Sequence, residues 1–212
     1  MSLYLASQSP RRREILDQIG VKYDLLSVSV DESLLSGENP VQTVTRLAEL
    51  KAKAGLEQLK AESLPQVLKS SIPPNVTVLG ADTIVVINDE ILGKPINQSH
   101  AAEMLNKLSG TTHQVMSAVS LQSQECVETA VSITEVSFKE IHEQEIADYW
   151  RSGEPLDKAG GYGIQGLGAI FVTKIHGSYS GVVGLPIETL VPLLNKFKIP
   201  TWQKAHQQNL SS

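Results

Sequence analysis

VTVLGADTIVVINDEILGKP, residues 76–95, decides how the chain folds. Its first twelve residues form the strongest strand signal in the sequence, apolar and rich in β-branched side chains. Asn88-Asp89 is a turn pair and EILGKP carries the chain back, so a hairpin is expected. Hairpins impose antiparallel pairing, whereas the strands and helices that alternate elsewhere favour parallel pairing. A mixed sheet reconciles the two.

Upstream, LYLA (3–6) reads as a short strand feeding a helix from residue 10 to about 19. Ser9 is placed as its N-cap, Pro10 as its first residue and Gly20 as its stop. KYDLLSVSVDES (22–33) reads as a strand running into an acidic turn at Asp31 and Glu32. Val41, Val44, Leu47, Ala48, Ala54 and Leu59 then mark one face of a helix from Pro40 to about Lys60, with Lys51 near its middle. Residues 61–75 are a polar, proline-bearing connection. Downstream, Ala101, Met104, Leu105 and Leu108 mark a helix closed by Gly110. Residues 113–121 and 126–138 read as strands joined at QSQE. EQEIADYWRSG is an amphipathic helix, AIFVTKI (169–175) a strand and GLPIETLVPLLNKF a last helix. The final dozen residues, from Thr201, are polar and expected to fray. The expected class is α/β, a long mixed sheet flanked by helices, with residues 1–198 as one domain and 199–212 as a tail.

The 212 residues are 41% hydrophobic and carry a net charge of −5. That balance argues against binding nucleic acid through a broad basic face. Cys126 is the only cysteine, which excludes a disulfide framework and a Cys-type zinc site. No apolar run reaches the ~18 residues of a membrane helix, and no leader pattern opens the chain. A cytoplasmic protein with no membrane partner is expected.

Anion binding must therefore come from a local cluster, and SQSPRRR (7–13) offers one. A helix N-terminus is partly positive, so cations placed there cost about 0.3–1 kcal/mol each. Arg11 and Arg12 behind a capped turn make sense if a phosphate comes to sit there. Arg13 reads as solvated and paired with a carboxylate. Asp82 interrupts the apolar run of 76–87, and a carboxylate there requires hydrogen bonds, a partner or a metal. The bland alternative is a bulge at Gly80 that Asp82 caps. Lys94, with Arg11, Arg12 and Lys51, supplies charge enough to line a polyphosphate.

Residues 153–168, GEPLDKAGGYGIQGLG, hold six of the fifteen glycines. GYGIQG matches G-x-G-x-x-G but does not follow a strand or open a helix, so the dinucleotide reading fails. Gln165 in this loop carries an amide that donates and accepts at once, which suits a base edge showing N–H beside a carbonyl. Glu154, Asp157 and Lys158 read equally well as a surface ion pair. The five histidines share no metal-ligand spacing, and neither a G-x-S-x-G elbow nor a G-x-x-x-x-G-K-[ST] loop is present. Basic side chains, an embedded aspartate and a second acid near Glu32 suit metal-assisted attack on a phosphorylated ligand. The ligand itself stays open on these grounds.

LASQSPRRREIL, DES, LAELKAKAG, GADTIVV, GKP, LSGTTHQV, EPLDKAGGYGIQG and GSYSGVVGLP, in this order from about residue 3 to 197, resemble the Maf family of nucleoside triphosphate pyrophosphatases. The match is closest to the subgroup that hydrolyses dTTP and UTP. The resemblance implies a single elongated domain of the Maf/ITPase-like kind. It implies hydrolysis of a nucleoside triphosphate to the monophosphate and pyrophosphate, a role in nucleotide-pool housecleaning, and a divalent cofactor, Mg²⁺ or Mn²⁺. Asp82 takes the position of the catalytic aspartate. Arg11, Thr83 and Gln165 take those that set pyrimidine specificity. Ser7, Arg12, Lys51 and Lys94 contact phosphates, and Glu32 with Asp82 holds the metal. Whether Asp82 is the base or chiefly the metal ligand is left open by the resemblance. A nucleoside triphosphate is the expected partner, with a homodimer allowed. Ser117-Ala118 stand where the family usually has Thr-Gly, and Gly181 where asparagine is usual. A nucleotide-binding regulator of septum formation, binding without turnover, is the rival reading.

Overall fold

The computed structural model describes residues 2–62 and 76–203. Most of the expected connection at 61–75, and the tail beyond Gln203, lie outside them. Strand β1 (Ser2–Ala6) leads into helix α1 (Pro10–Gln18), and β2 (Asp24–Leu26) returns parallel beside β1. Helix α2 (Pro40–Glu62) precedes β3 (Val76–Ile87), which lies parallel to β1 on its other side. The turn residues Asn88 and Asp89 both have positive φ, 49° and 63°, as a tight hairpin requires. They return the chain as β4 (Glu90–Leu92).

After α3 (Gln98–Leu108) come β5 (Thr112–Gln122) and β6 (Val127–Phe138), then α4 (Glu143–Arg151), β7 (Val172–His176), α5 (Tyr179–Val183) and α6 (Ile187–Lys196). Pairs β3–β5, β5–β6 and β6–β7 are antiparallel. The sheet order is β2-β1-β3-β5-β6-β7 with β4 beside β3. This is the mixed α/β sheet expected from the hairpins.

The two-residue period of β3 distributes the molecule's layers. Val76, Val78, Ile84 and Val86 face α2, in clusters with Val44, Ala48 and Leu56. Leu79 and Ala81 face the other way, into a core with Ile15 and Leu16 of α1 and Leu190 and Leu194 of α6. Val85 and Ile87 share that second face but pack with Met104 and Leu105 of α3 and Ile146 and Tyr149 of α4. Residue 83 falls between these two cores. Gly80 belongs to the α2 face. The register from Val78 to Val86 runs without interruption, so the bulge reading is overturned. Glycine is required instead because a Cβ would stand 2.2 Å from Ala48 O and 2.4 Å from Ala52 N of α2.

Several local expectations shift. Only Asp24–Leu26 of the stretch 22–33 pairs as a strand, and α2 extends through Glu62. Leu167–Phe171 coil into a 3₁₀ turn, so the strand expected from Ala169 begins at Val172. GSYSGVVG contains the short helix α5, which its glycines concealed. The start of the tail is not frayed: Trp202 N and Gln203 N donate to the carbonyls of Ile19 and Gly20, and Ile199 is buried.

Candidate active site

Asp82 and Thr83 are consecutive on β3, so they point to opposite faces of the sheet. Asp82 turns toward α2, where Lys51 Nζ lies 2.6 Å from its Oδ1. The same Nζ lies 2.6 Å from Glu32 Oε1. Lys51 thus stands as a cation between two carboxylates, its side chain and that of Asp82 nearly buried and that of Glu32 half exposed. Burial alone would raise the Glu32 carboxyl, but the hydrogen bond and charge of Lys51, with Lys94 and Arg12 behind it, hold it below the usual range.

Thr83 turns toward α1. Arg12 Nη2 donates to its Oγ1 at 3.3 Å, Arg12 Nη1 to Ser7 Oγ at 3.1 Å and Arg12 Nε to the Gly184 carbonyl at 2.9 Å. Ser117 lies directly across from Thr83 in the β3–β5 pair. Its Oγ donates to the Gly181 carbonyl at 2.7 Å, which leaves it to accept from Thr83 Oγ1 at 2.8 Å. The guanidinium therefore heads a directed chain, Arg12 to Thr83 to Ser117 to the Gly181 carbonyl. Ser117 and Gly181, two of the positions at which the sequence departs from the motifs it resembles, meet in this chain. Desolvation lowers the Arg12 pKa and Asp82 opposes that shift; a guanidinium stays charged regardless.

The three arginines have three different tasks. Ser9 occupies the N-cap of α1 without a side-chain cap bond, and the first turn carries no acid. Arg12 is pinned as described. Arg11 reaches across to Asp157, with Nη1 and Oδ2 3.6 Å apart. Arg13 is half-buried, with its Nε shielded from water and without a hydrogen-bond partner.

Gln165 is exposed at the crest of the glycine-rich loop, and Lys94 is exposed after β4. Ser7, Arg11, Arg12, Glu32, Lys51, Asp82, Thr83, Lys94 and Gln165 all line one cleft of about 1340 Å³. Every residue picked from the sequence for the site is therefore brought to the same place. GYGIQG neither follows a strand nor opens an α-helix, lying instead between two 3₁₀ turns.

Sequence reasoning undervalued Glu154 and missed Tyr149. Glu154 accepts from the backbone N–H of Leu167 and Gly168 and from the Tyr149 hydroxyl. The available signal was the spacing of Gly163, Gly166 and Gly168, which leaves room for something to be wrapped. Among the histidines, His113 is buried with Nε2 2.8 Å from the Tyr162 hydroxyl. Among the described residues, no group of three or more His, Cys, Asp or Glu side chains gathers to hold a metal.

A mixed α/β sheet with cations set against two carboxylates in one cleft defines a protein built to receive a polyanion. The chain belongs to the Maf family: the family model described as Maf-like protein matches residues 2–197, as the motifs implied. A dTTP/UTP pyrophosphatase of Saccharophagus degradans is 51% identical over 201 residues, 95% of this chain and 91% of that one. Enzymes of the same name from Shigella sonnei and Escherichia coli O157:H7 are each 50% identical over 196 residues, 92% of this chain and 93% of theirs. The solved Ham1 protein of Staphylococcus aureus aligns at 20% identity and a TM-score of 0.42, covering 68% of this chain and 73% of that one. Among the described residues no helix is long and apolar enough to cross a membrane.

Proposed function

We propose that the cleft hydrolyses dTTP and UTP to the nucleoside monophosphate and pyrophosphate. The observation that carries this reading is the convergence of all nine motif residues on one cleft, with Lys51 in contact with both Glu32 and Asp82. The relatives of half-identical sequence that bear this activity in their names support the choice of substrate.

Hydrolysis at the α-phosphorus expels pyrophosphate, and negative charge grows on the bridging oxygen. Lys51, Lys94 and Arg12 supply the positive charge that meets it. Arg12 acts from a fixed position, because Ser7, Thr83 and the Gly184 carbonyl hold its fork before substrate arrives. In this reading Asp82, its Oδ1 fixed by Lys51, accepts the proton of the attacking water. Gln165 meets the N3–H and neighbouring carbonyl of uracil or thymine with one amide, and the thymine methyl adds little volume.

The donor set also fits a divalent cation. Glu32 and Asp82 already share a cation, the Lys51 ammonium, and these two carboxylates would hold Mg²⁺ or Mn²⁺, which take oxygen ligands. When bound, such an ion supplies Lewis-acid stabilisation of the phosphate charge.

The test is a product assay with UTP, dTTP, CTP, GTP and 7-methyl-GTP in Mg²⁺ or Mn²⁺, scoring pyrophosphate and orthophosphate separately. Pyrophosphate with UMP or dTMP, absent in Asp82→Asn, is expected. Tight UTP binding without turnover would instead favour the regulator.

A further inference from the structure

We infer that Ser117 is a positioning residue for the hydrolysis, acting through Arg12 on the charge that Arg12 meets. This rests on the pyrophosphatase reading above and names a further residue for it. Ser117 is fully buried and does not line the cleft. Its hydroxyl is tied to two of the three groups that hold the Arg12 fork, to one directly and to the other through a shared carbonyl.

The direct link is to Thr83. A hydroxyl has one proton to give and accepts with its lone pairs. Thr83 Oγ1 accepts from Arg12 Nη2 at 3.3 Å, so its own proton must go elsewhere. Ser117 Oγ takes it at 2.8 Å. The other acceptor in reach, the Gly184 carbonyl, stands at 3.5 Å and already receives Arg12 Nε at 2.9 Å. Ser117 is free to accept because its own proton is committed to the Gly181 carbonyl at 2.7 Å. This order of protons keeps a Thr83 lone pair facing the guanidinium.

The second link runs through Gly181. Its carbonyl accepts from Ser117 and also from Gly184 N, at 3.0 Å. Ser117 thereby ties β5 to the C-cap of α5, where the Gly184 carbonyl meets Arg12 Nε. The third anchor, Ser7 Oγ at 3.1 Å from Nη1, does not depend on Ser117. Without the Ser117 hydroxyl, Arg12 keeps its charge and its bond to Ser7, but Thr83 loses the acceptor that orients it. The Thr83 proton then turns to the Gly184 carbonyl and crowds Nε there. Ser132, opposite Ser117 in the β5–β6 pair, shows what a purely structural serine does: its Oγ donates to Glu188 Oε1 of α6 at 2.6 Å.

The measurement is kcat and KM for UTP in wild type, Ser117→Ala, Ser117→Thr, Thr83→Val, the Ser117→Ala/Thr83→Val double variant and Ser132→Ala, with a thermal melt of each. Losing one neutral hydrogen bond behind the fork should lower kcat in Ser117→Ala about fivefold. KM should change little, because the charge that Arg12 meets grows only in the transition state. Ser117→Thr keeps the hydroxyl and should stay within about twofold of wild type. In the Thr83→Val background, where the direct path to Arg12 is already cut, Ser117→Ala should cost less than about twofold more. Ser132→Ala should melt lower and turn over UTP as wild type does.

An unchanged kcat in Ser117→Ala overturns the proposal. So does a loss that recurs undiminished in the Thr83→Val background, or that Ser117→Thr or Ser132→Ala matches, since the hydroxyl chain to Arg12 would then not be its cause. Should Ser117→Ala fail to fold, Ser117→Cys, similar in shape but a weak acceptor, decides in its place. If wild type releases no pyrophosphate from UTP or dTTP, the underlying reading fails and this inference with it.

Discussion

At the scale of single residues, the site is organised by which way consecutive side chains point. Asp82 and Thr83 serve opposite faces of one strand, one held by Lys51 and the other by Arg12. Arg12 is committed to three partners in a geometry that only a planar fork can match. Arg12→Lys keeps the charge but cannot satisfy Ser7, Thr83 and the Gly184 carbonyl together. Losing two such bonds, one leaving a carbonyl without its partner, costs about 2–4 kcal/mol. The variant should melt several degrees lower and turn over UTP more slowly by at least about tenfold, a cost of roughly 1.4 kcal/mol in the transition state. Calorimetry and steady-state kinetics on the same preparation check both. Wild-type kinetics in the lysine variant would show that charge alone suffices.

At the scale of elements, α2 lies against β3 at Gly80 with no room for a side chain. A Cβ there meets the main chain of Ala48 and Ala52, which cannot swing aside as a flexible side chain can. Gly80→Ala should cost at least the ~1–3 kcal/mol of ordinary overpacking. For a chain of this length that is a drop of about 3–10 °C in melting temperature. Gly93→Ala, with nothing within 4 Å of its Cβ position, is the control and should melt with the wild type. The long central strands and the α1 boundary were legible because apolar runs, the Asn88-Asp89 turn, Pro10 and Gly20 are local signals. What was not legible was set by distant partners. Ala169–Phe171 have strand-like composition, yet Leu167 and Gly168 donate to Glu154 and coil the chain there. Gly80 looked like a bulge because no local pattern announces a helix backbone pressed against it. Ser9 has the right position for a cap, but its side chain makes no cap bond. The site residues were visible as types and motifs. Their division of labour, Arg11 to Asp157 and Arg12 to Thr83, came only with the fold.

At the scale of the whole molecule, a polar seam separates the two cores on the face opposite α2. Thr83, Ser117 and Ser132 lie side by side across β3, β5 and β6, between Leu79, Ala81 and Val119 on one side and Val85 and Val115 on the other. Of these three, Thr83 lines the cleft. Tyr162 lines the cleft with its ring buried in the second core, where its hydroxyl meets His113 Nε2. His113 packs edge-on against Phe138 and Tyr162, and burial pushes its pKa down from 6.5 to about 4. The folded state therefore holds this imidazole neutral, while the unfolded chain binds its proton below pH 6.5. Between pH 6.5 and about 4 the unfolded state carries more protons, so stability falls as pH falls through that window. At about 1.4 kcal/mol per unit, the loss approaches 3 kcal/mol at the acid end. Melting curves from pH 7.5 to 4.5 should show the decline, and His113→Gln, which cannot take the proton, should flatten it while lowering stability at pH 7.5. A decline equally steep in the glutamine variant would assign the acid sensitivity to the carboxylates of the cleft instead.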